Sequence, residues 1–380
     1  MKHDLPLSGA VAPGFEPVRN EFAALFAEEL ERGGGLCIYA GGALVVDLIG
    51  GWADRACETA MSDNHLVPVF SCSKAVSALV LGWVVEQGDL SYEQKVSDLW
   101  PEFAAHGKGD LTVAEVLSHQ AGLSGFRAPW DAADWFDWQK TVDRLASMEP
   151  LWTLGDGSGY HPVSWGYLAG EIVIRATGGR TIGSILREEF CQPNDLDFWI
   201  GLPDEQHDRV AQTSKPTSIP SGFANLNEVQ KLAFMMPWSS PGRKGGAAWR
   251  RMEIPSANGH GTAKAMAGLM RVLAEDGALN GREMLSKAVR AEAVTERVAG
   301  KDRVLSHDLS FGVGLIRNTP GRLVYGPGLH TVGHTGFGGS VLFADPDAKV
   351  SFGYVTTKQD SQLVKDVRAA RLTAALYECL

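Results

Sequence analysis

A serine and a lysine stand three residues apart, at Ser71 and Lys74, where an apolar segment with helical spacing begins and continues to Glu86. Residues three apart on a helix lie on one face, within side-chain reach of each other. A serine hydroxyl is a good nucleophile only when a base takes its proton, and a lysine amine can be that base when burial disfavours its charged form. The pair therefore predicts covalent acyl-transfer chemistry on Ser71.

The Ser-x-x-Lys pattern also has an ordinary explanation. Chance produces it about once in a chain of this size. In the ordinary interpretation Ser71 caps the helix and Lys74 is a surface residue of the first turn. The apolar residues 66–70 argue against an exposed turn at this point. A helix N-terminus also directs backbone N–H groups toward an acyl oxygen, as covalent catalysis requires.

Signatures of other hydrolases are missing from the sequence. It contains no Gly-x-Ser-x-Gly motif, which excludes the usual nucleophile elbow of the α/β-hydrolases. It also contains no His-Glu-x-x-His motif and no paired His/Cys spacing of the kind that binds zinc. We therefore expect neither a metal nor another cofactor.

A second candidate element is Tyr160, which lies in the stretch GYHP just before a predicted helix over residues 165–176. A tyrosine beside a Ser/Lys pair can relay a proton between the nucleophile and the leaving group. The alternative is that this tyrosine packs at the start of the helix. We assign His161 to the site because it is next to Tyr160. The alternative is that His161 only caps the helix.

Glycines dominate a third stretch, residues 333–340 with the sequence GHTGFGGS, which leads into a predicted strand. Glycine lets a substrate approach the backbone closely, as an edge strand must allow if its N–H groups form half of an oxyanion hole. The alternative is a plain turn between two strands.

Strand signals occur at both ends of the chain and helical signals in the middle. The most economical arrangement is an α+β fold in which one antiparallel sheet is built from both termini, with helices on its faces and a helical domain inserted. The boundaries predict an α/β domain from residues 1–65 and 305–380, and a mainly helical domain from residues 66–304. The active site is expected between the two. The predicted late strands are 310–316, 323–325, 340–344 and 350–355.

The composition excludes several kinds of partner. The chain has 380 residues, a net charge of −10 and no basic run, which disfavours nucleic acid and anionic membranes. No window reaches the ~18 apolar residues of a membrane span, and the N-terminus has no signal-peptide core. The five cysteines are odd in number and widely spaced, as expected for free thiols in the cytoplasm. Nothing indicates an oligomeric state.

In this order, the three elements resemble those of the serine β-lactamase and penicillin-binding protein family, which uses Ser-x-x-Lys, Tyr-x-Asn or Ser-x-Asn, and Lys-Thr-Gly. The stretches 84–103 and 111–123 are similar to the family's next landmarks, and the likeness extends from about residue 18 to the end. Tyr-His and HTGFGGS in the last two elements look most like the class C-related family VIII carboxylesterases. The resemblance implies a β-lactamase/transpeptidase-like fold.

The resemblance also implies roles for individual residues. Ser71 is the acylated nucleophile, and Lys74 is the base, alone or together with Tyr160. Tyr160 exchanges protons with the leaving alcohol and the deacylating water. The backbone N–H groups of Ser71 and Phe337 form the oxyanion hole. His334, Thr335 and Gly336 stand where the family reads the polar end of its substrate.

Two departures weaken β-lactam recognition and leave ester cleavage intact. Pro162 replaces the amide-bearing Asn, and His334 replaces the permanently charged Lys. Tryptophans near the expected cleft, among them Trp152 and Trp238, suit apolar groups or ordinary packing. Ser256-Ala257-Asn258 is rejected as the second element because it comes too late in the chain.

The leading hypothesis is a cytoplasmic serine carboxylesterase for small to medium apolar esters. An amide hydrolase or an acyltransferase would use the same acyl-enzyme, and weak β-lactamase activity is compatible with the fold. The non-enzyme alternative is a catalytically silent binding homologue, which the intact Ser71, Lys74 and Tyr160 argue against.

Overall fold

The structure, a computed structural model, describes residues 5–127, 130–216, 225–235 and 246–380. Within these ranges the strands are β1 (Leu7–Val11), β2 (Gly33–Ala40), β3 (Ala43–Gly51), β4 (Val67–Phe70), β5 (Phe198–Trp199), β6 (Gly259–Gly261), β7 (Ala278–Leu279), β8 (Arg282–Glu283), β9 (Val298–Lys301), β10 (Asp308–Phe311), β11 (Ile316–Arg317), β12 (Val332–Thr335), β13 (Val341–Asp345) and β14 (Val350–Thr356). The helices are α1 (Glu16–Ala27), α2 (Cys72–Glu86), α3 (Val96–Leu99), α4 (Val113–Leu117), α5 (Trp138–Ser147), α6 (Ser164–Ala176), α7 (Ile182–Ile185), α8 (Glu228–Ala233), α9 (Ala247–Arg251), α10 (Ala263–Ala274), α11 (Lys287–Ala293) and α12 (Val367–Tyr377).

Both ends of the chain contribute to one antiparallel sheet. Its strand order is β1-β3-β2-β14-β13-β12-β11-β10-β9, so the last long strand, β14, pairs with β2 from the beginning of the chain. A hairpin joins β2 to β3, as the Gly41-Gly42 pair predicts, because both glycines have positive φ. The predicted α+β class with a sheet built from both termini is confirmed.

Alternation along the strands gives the sheet two apolar faces. In β13, Val341 and Phe343 belong to the core that includes α1 and α12, whereas Leu342 and Ala344 belong to the core shared with α2 and α10. Helix α10 lies close against β14 because Gly353 has no side chain, and a Cβ there would lie 2.3 Å from the Ala263 carbonyl oxygen. The sheet is therefore covered on both sides.

Helix α2 is the central element of the larger core. Every residue from Cys72 to Val84 is buried, polar residues included. A helix that is apolar on all sides must be enclosed by other elements, and here α6, α7, α10, α11 and β12 pack around it. The residues at its N-terminus are thereby held in the interior of the protein.

Three predicted elements are wrong in whole or in part. Residues 310–316 contribute to two antiparallel strands, β10 and β11, and do not form one strand. Residues 323–325 form no strand, because the side-chain oxygen of Asn318 accepts the N–H groups of Val324 and Tyr325 and replaces a strand partner. The sequence predicts a closing helix over residues 361–377, but the helix begins at residue 367, where Asp366 caps it. The division into residues 1–65 with 305–380 and residues 66–304 stays a prediction, although β9 joins the sheet and α10 packs on it.

Candidate active site

A strained turn places Ser71 at the mouth of α2. Phe70, the last residue of β4, has φ of +48°, a left-handed conformation that costs a non-glycine residue about 1–3 kcal/mol. The hydroxyl of Ser73 secures this turn, since it donates to the Phe70 carbonyl and accepts the N–H of Gly259 at 2.8 Å. Ser71 occupies the cap position, yet its side chain makes no capping hydrogen bond. Its hydroxyl instead faces a cavity of about 100 Å³.

Lys74 is completely buried beneath that hydroxyl. Its Nζ lies 2.8 Å from the carbonyl oxygen of Pro162, 3.0 Å from that of Ser256 and 3.4 Å from Ser71 Oγ. Burial lowers the pKa of the Lys74 amine well below its ordinary value, and no carboxylate among the described residues acts on it to restore the charge. The ordinary interpretation of Lys74 as a surface residue is therefore wrong.

In its neutral form, the Lys74 amine has one hydrogen-bonding arrangement available to it here. Its two N–H bonds are directed to the carbonyl oxygens of Pro162 and Ser256, which can only accept. The position that remains, occupied by the nitrogen lone pair, faces the Ser71 hydroxyl. An amine held in this way is arranged to accept the serine proton.

Tyr160 completes the cluster around Ser71. Its ring centroid lies 4.7 Å from Lys74 Nζ, and its hydroxyl lies within hydrogen-bonding reach of Ser71 and 3.5 Å from His334 Nε2. Burial raises the pKa of Tyr160 well above its ordinary value, and the bond to Ser71 only partly offsets this effect. The phenol is therefore protonated at neutral pH, so it can donate a proton and is not itself an anionic base.

A carboxylate that the sequence did not single out holds Tyr160 in place. Asp302 is buried and accepts the backbone N–H of Tyr160 at 3.1 Å and the hydroxyl of Ser158 at 2.9 Å. It also accepts the N–H groups of Val304 and Leu305. It thus joins the segment that carries Tyr160 to the loop that forms one wall of the cavity.

We expect Asp302→Ala to lower the free energy of unfolding by at least about 2 kcal/mol, because it leaves several buried donors without an acceptor. Chemical denaturation monitored by circular dichroism measures this change. The matched control is Asp308→Ala, which removes an exposed carboxylate paired with Arg322 and should cost no more than about 1 kcal/mol. Equal losses in the two variants would contradict the anchoring role.

The glycine-rich stretch brings His334, Thr335 and Phe337 to the cavity wall. Burial lowers the pKa of His334 to about 3, so the ring is neutral at physiological pH. Its Nδ1 lies 2.8 Å from the Thr335 carbonyl oxygen, which assigns the proton to Nδ1 and leaves Nε2 as an acceptor toward Tyr160. The ring of Phe337 packs edge-on against Phe70, with centroids 5.7 Å apart.

Gly336 lies behind the wall of the cavity. A Cβ at this position would be 2.2 Å from the Val69 carbonyl oxygen, so glycine is required for the strand to approach β4. Its N–H donates to the Ser340 carbonyl at 2.7 Å. Gly336 therefore positions Phe337 and does not itself line the cavity.

Comparison with known proteins identifies the fold. The family model "Beta-lactamase" matches residues 22–376. The chain belongs to the β-lactamase family. Esterase/beta-lactamase LipL of Mycobacterium tuberculosis is 34% identical over 368 residues, which cover 94% of this chain and 84% of that protein.

Two solved structures of this family superpose on nearly the whole chain. A penicillin-binding protein homologue from Caulobacter crescentus has a TM-score of 0.95 with 48% identity, covering 99% of this chain and all of that one. A family VIII carboxylesterase has a TM-score of 0.92 with 35% identity and the same coverage. The resemblance seen in the motifs is confirmed, and the chain is a hydrolase of the β-lactamase/esterase family.

Within this β-lactamase fold, two of the predicted substrate-binding residues lie away from the cavity. His161 is fully buried, and its Nε2 accepts the N–H of Leu123 at 2.9 Å. Trp152 packs edge-on against the His161 ring, with centroids 5.8 Å apart. Trp152 also packs against Gly159, where a Cβ would lie 2.6 Å from its ring, so both residues pack around the segment that carries Tyr160. Trp238 lies outside the described residues.

The tryptophans of the 126–152 segment form interior packing. Trp135 is fully buried between Phe126, Trp130 and Tyr167, and Trp138 packs on Tyr167. Cavity-lining residues that the sequence did not indicate come from separate elements: Val163, Phe234, Ala257, Leu305, Ile316 and Leu363. No local pattern marks them, because only the fold brings them together.

Three properties of the described ranges bear on the other expectations. No helix there is long and apolar enough to cross a membrane. No group of three or more His, Cys, Asp or Glu residues in those ranges could hold a metal ion. All five cysteines are free thiols.

Proposed function

We propose that the protein is a serine carboxylesterase that hydrolyses small to medium apolar esters through an acyl-enzyme on Ser71. One observation carries the proposal. The amine of Lys74 is buried without a carboxylate and bonded to two carbonyl oxygens, so its lone pair is left for the Ser71 hydroxyl. The free thiols fit a reducing compartment, and we place the enzyme in the cytoplasm.

In the acylation step, Lys74 takes the proton of Ser71 as Oγ bonds to the ester carbonyl carbon. The carbonyl oxygen becomes an oxyanion, which the backbone N–H groups of Ser71 and Phe337 receive. The bond to the alcohol oxygen then breaks. The proton held by Lys74 returns to that oxygen through the Tyr160 hydroxyl, which is protonated at neutral pH.

In the deacylation step, a water molecule takes the place of the alcohol. The same two residues remove its proton as it attacks the acyl carbon, and they return a proton to Ser71 Oγ as the acid leaves. Because no net proton is gained or lost by the protein, the cycle can repeat with Lys74 neutral at its beginning. A buried base that faces its nucleophile directly can therefore act in both steps.

The character of the cavity favours uncharged esters. Its walls are largely apolar side chains, and the neutral His334 offers no permanent charge to a substrate carboxylate. This supports ester substrates over the carboxylate-bearing β-lactams. Relatives named as a carboxylesterase and as an esterase/β-lactamase support the same assignment.

A panel of p-nitrophenyl esters, assayed beside nitrocefin and a p-nitroanilide, tests the proposal. We expect turnover of the esters, at least tenfold weaker kcat/KM for nitrocefin and the anilide, and labelling of Ser71 by an alkyl phosphonate, read by peptide mass spectrometry. Preferential turnover of nitrocefin would assign a β-lactamase instead. If no substrate were turned over and Ser71 remained unlabelled, the catalytically silent binding homologue would be the better description.

A further inference from the structure

A second, larger cavity lies next to the active-site cavity. It has a volume of about 330 Å³ and is formed by residues 323–327, by the ends of β12 and β13, and by residues 365–377. We call it the C-terminal groove. Its floor and sides are mainly aliphatic, including Leu323, Val324, Val341 and two alanines of α12, Ala370 and Ala374.

The polar side chains of this groove are largely engaged elsewhere. Asp366 is held by the guanidinium of Arg368, with 2.7 Å between Oδ2 and Nη2, and it also caps α12. Tyr377 donates its hydroxyl to Asp345. Lys365 lies at the exposed rim. The groove therefore presents mainly apolar surface to a ligand, with one cation at its edge and the Tyr325 hydroxyl, which has no hydrogen-bond partner among the described residues.

Thr335 lines both cavities, so only a thin partition separates them. Its Oγ1 donates to the carbonyl oxygen of Leu363 at 2.9 Å. Leu363 lines the active-site cavity, and two residues later Lys365 lines the groove. The Thr335 side chain and the Leu363 backbone, joined by one hydrogen bond, are thus the place where the two cavities adjoin.

The sizes of the two cavities are complementary. Sites that bury a small organic ligand usually have volumes of about 300–1,000 Å³. The cavity at Ser71, at about 100 Å³, holds the reacting ester group and little more. The groove, at about 330 Å³, has the volume that the rest of a small ligand needs. Opening one hydrogen bond costs less than the burial of a few methylene groups contributes.

We propose that the C-terminal groove binds an unbranched alkyl chain of the ester, which passes Thr335 when the bond to Leu363 opens. This inference rests on the proposed esterase function and names its substrate class: esters with a medium-length alkyl chain on one side of the carbonyl. Ala370 and Ala374, one turn apart on the exposed face of α12, leave the space that the chain fills.

The test is Ala374→Trp, which fills the groove from the α12 side. We expect its kcat/KM for p-nitrophenyl octanoate, divided by that for p-nitrophenyl acetate, to fall about tenfold or more relative to the wild type. A parallel series of ethyl and octyl acetate shows whether the alkyl chain belongs to the acyl or the alcohol side. Ala291→Trp, at an exposed position of α11, adds the same bulk outside both cavities and should leave the ratio unchanged.

Circular dichroism establishes that each variant is folded, and Ala370→Trp repeats the test from the neighbouring turn. Wild-type ratios in the folded groove variants, in both ester series, would overturn the groove assignment while leaving the esterase intact. A wild-type enzyme that cleaves p-nitrophenyl acetate and ethyl acetate, but neither p-nitrophenyl octanoate nor octyl acetate, overturns it as well. A wild-type enzyme that cleaves no ester at all instead removes the proposed function on which the assignment rests.

Discussion

Replacing Lys74 by alanine should lower kcat/KM for p-nitrophenyl butyrate at least ~1,000-fold, and Ser71→Ala should abolish turnover, because the two groups act as one unit. The structure gives the reason. Among the described residues, Lys74 and Tyr160 are the titratable groups that contact the Ser71 hydroxyl. Burial keeps the Tyr160 phenol protonated, so Lys74 is the group that can act as the base. Steady-state kinetics on the purified variants measure both losses.

Lys74→Arg is the informative control for this prediction. A guanidinium remains protonated at any pH that the enzyme survives, so it supplies positive charge but no base. If Lys74 acts as a base, the arginine variant should be as inactive as the alanine variant. Recovery of a large part of the activity by arginine would show that the positive charge, and not proton transfer, is what the reaction needs.

The pH profile tests the same assignment independently. The amine must be neutral to take the serine proton, so kcat/KM should rise with pH through the pKa of Lys74. Burial lowers that pKa well below its ordinary value. The rise should therefore be complete well below pH ~10, where an unperturbed lysine titrates. If a Tyr160 phenolate were the base instead, kcat/KM would rise only above pH ~10, because burial raises the pKa of Tyr160.

Tyr160→Phe should lower kcat by about 100- to 10,000-fold, the range attributed to a positioned general acid or base. The substitution keeps the ring that packs against His119 and Phe311 and removes only the hydroxyl. In the proposed mechanism this hydroxyl carries the proton to the leaving alcohol, and the substitution removes that step. We expect the loss to be larger for alkyl esters, whose alkoxide needs the proton, than for p-nitrophenyl esters, whose phenolate leaves without it.

Tyr92→Phe is the matched control for that substitution. Tyr92 is also fully buried, and its hydroxyl has no hydrogen-bond partner among the described residues. Removal of this hydroxyl should change kcat less than twofold. If Tyr160→Phe were equally harmless, or if it affected alkyl and p-nitrophenyl esters to the same extent, the proton-relay role would be wrong.

Prediction from the sequence was strongest where one local pattern specifies an element. The apolar spacing of residues 263–275 predicts a helix, and α10 forms over Ala263–Ala274, because Thr262 caps it and its apolar residues repeat at helical spacing. Prediction was weakest where a side chain from elsewhere satisfies the backbone. Residues 323–325 have the composition of a strand, yet Asn318 binds their N–H groups and no ladder forms.

Residue types and their order along the chain were enough to indicate Ser71, Lys74 and Tyr160 as candidate catalytic groups, because covalent catalysis on serine needs groups of these kinds and the helix spaces Ser71 and Lys74. The state of these groups depended on the tertiary structure. Burial lowers the pKa of Lys74 well below its ordinary value, and the carbonyl oxygens of Pro162 and Ser256 orient its amine. Desolvation cannot be predicted from residue types alone, because it arises only when segments distant in the sequence exclude water from the same place. For the same reason Asp302, the apolar wall of the cavity and the adjoining groove became visible only in the folded chain.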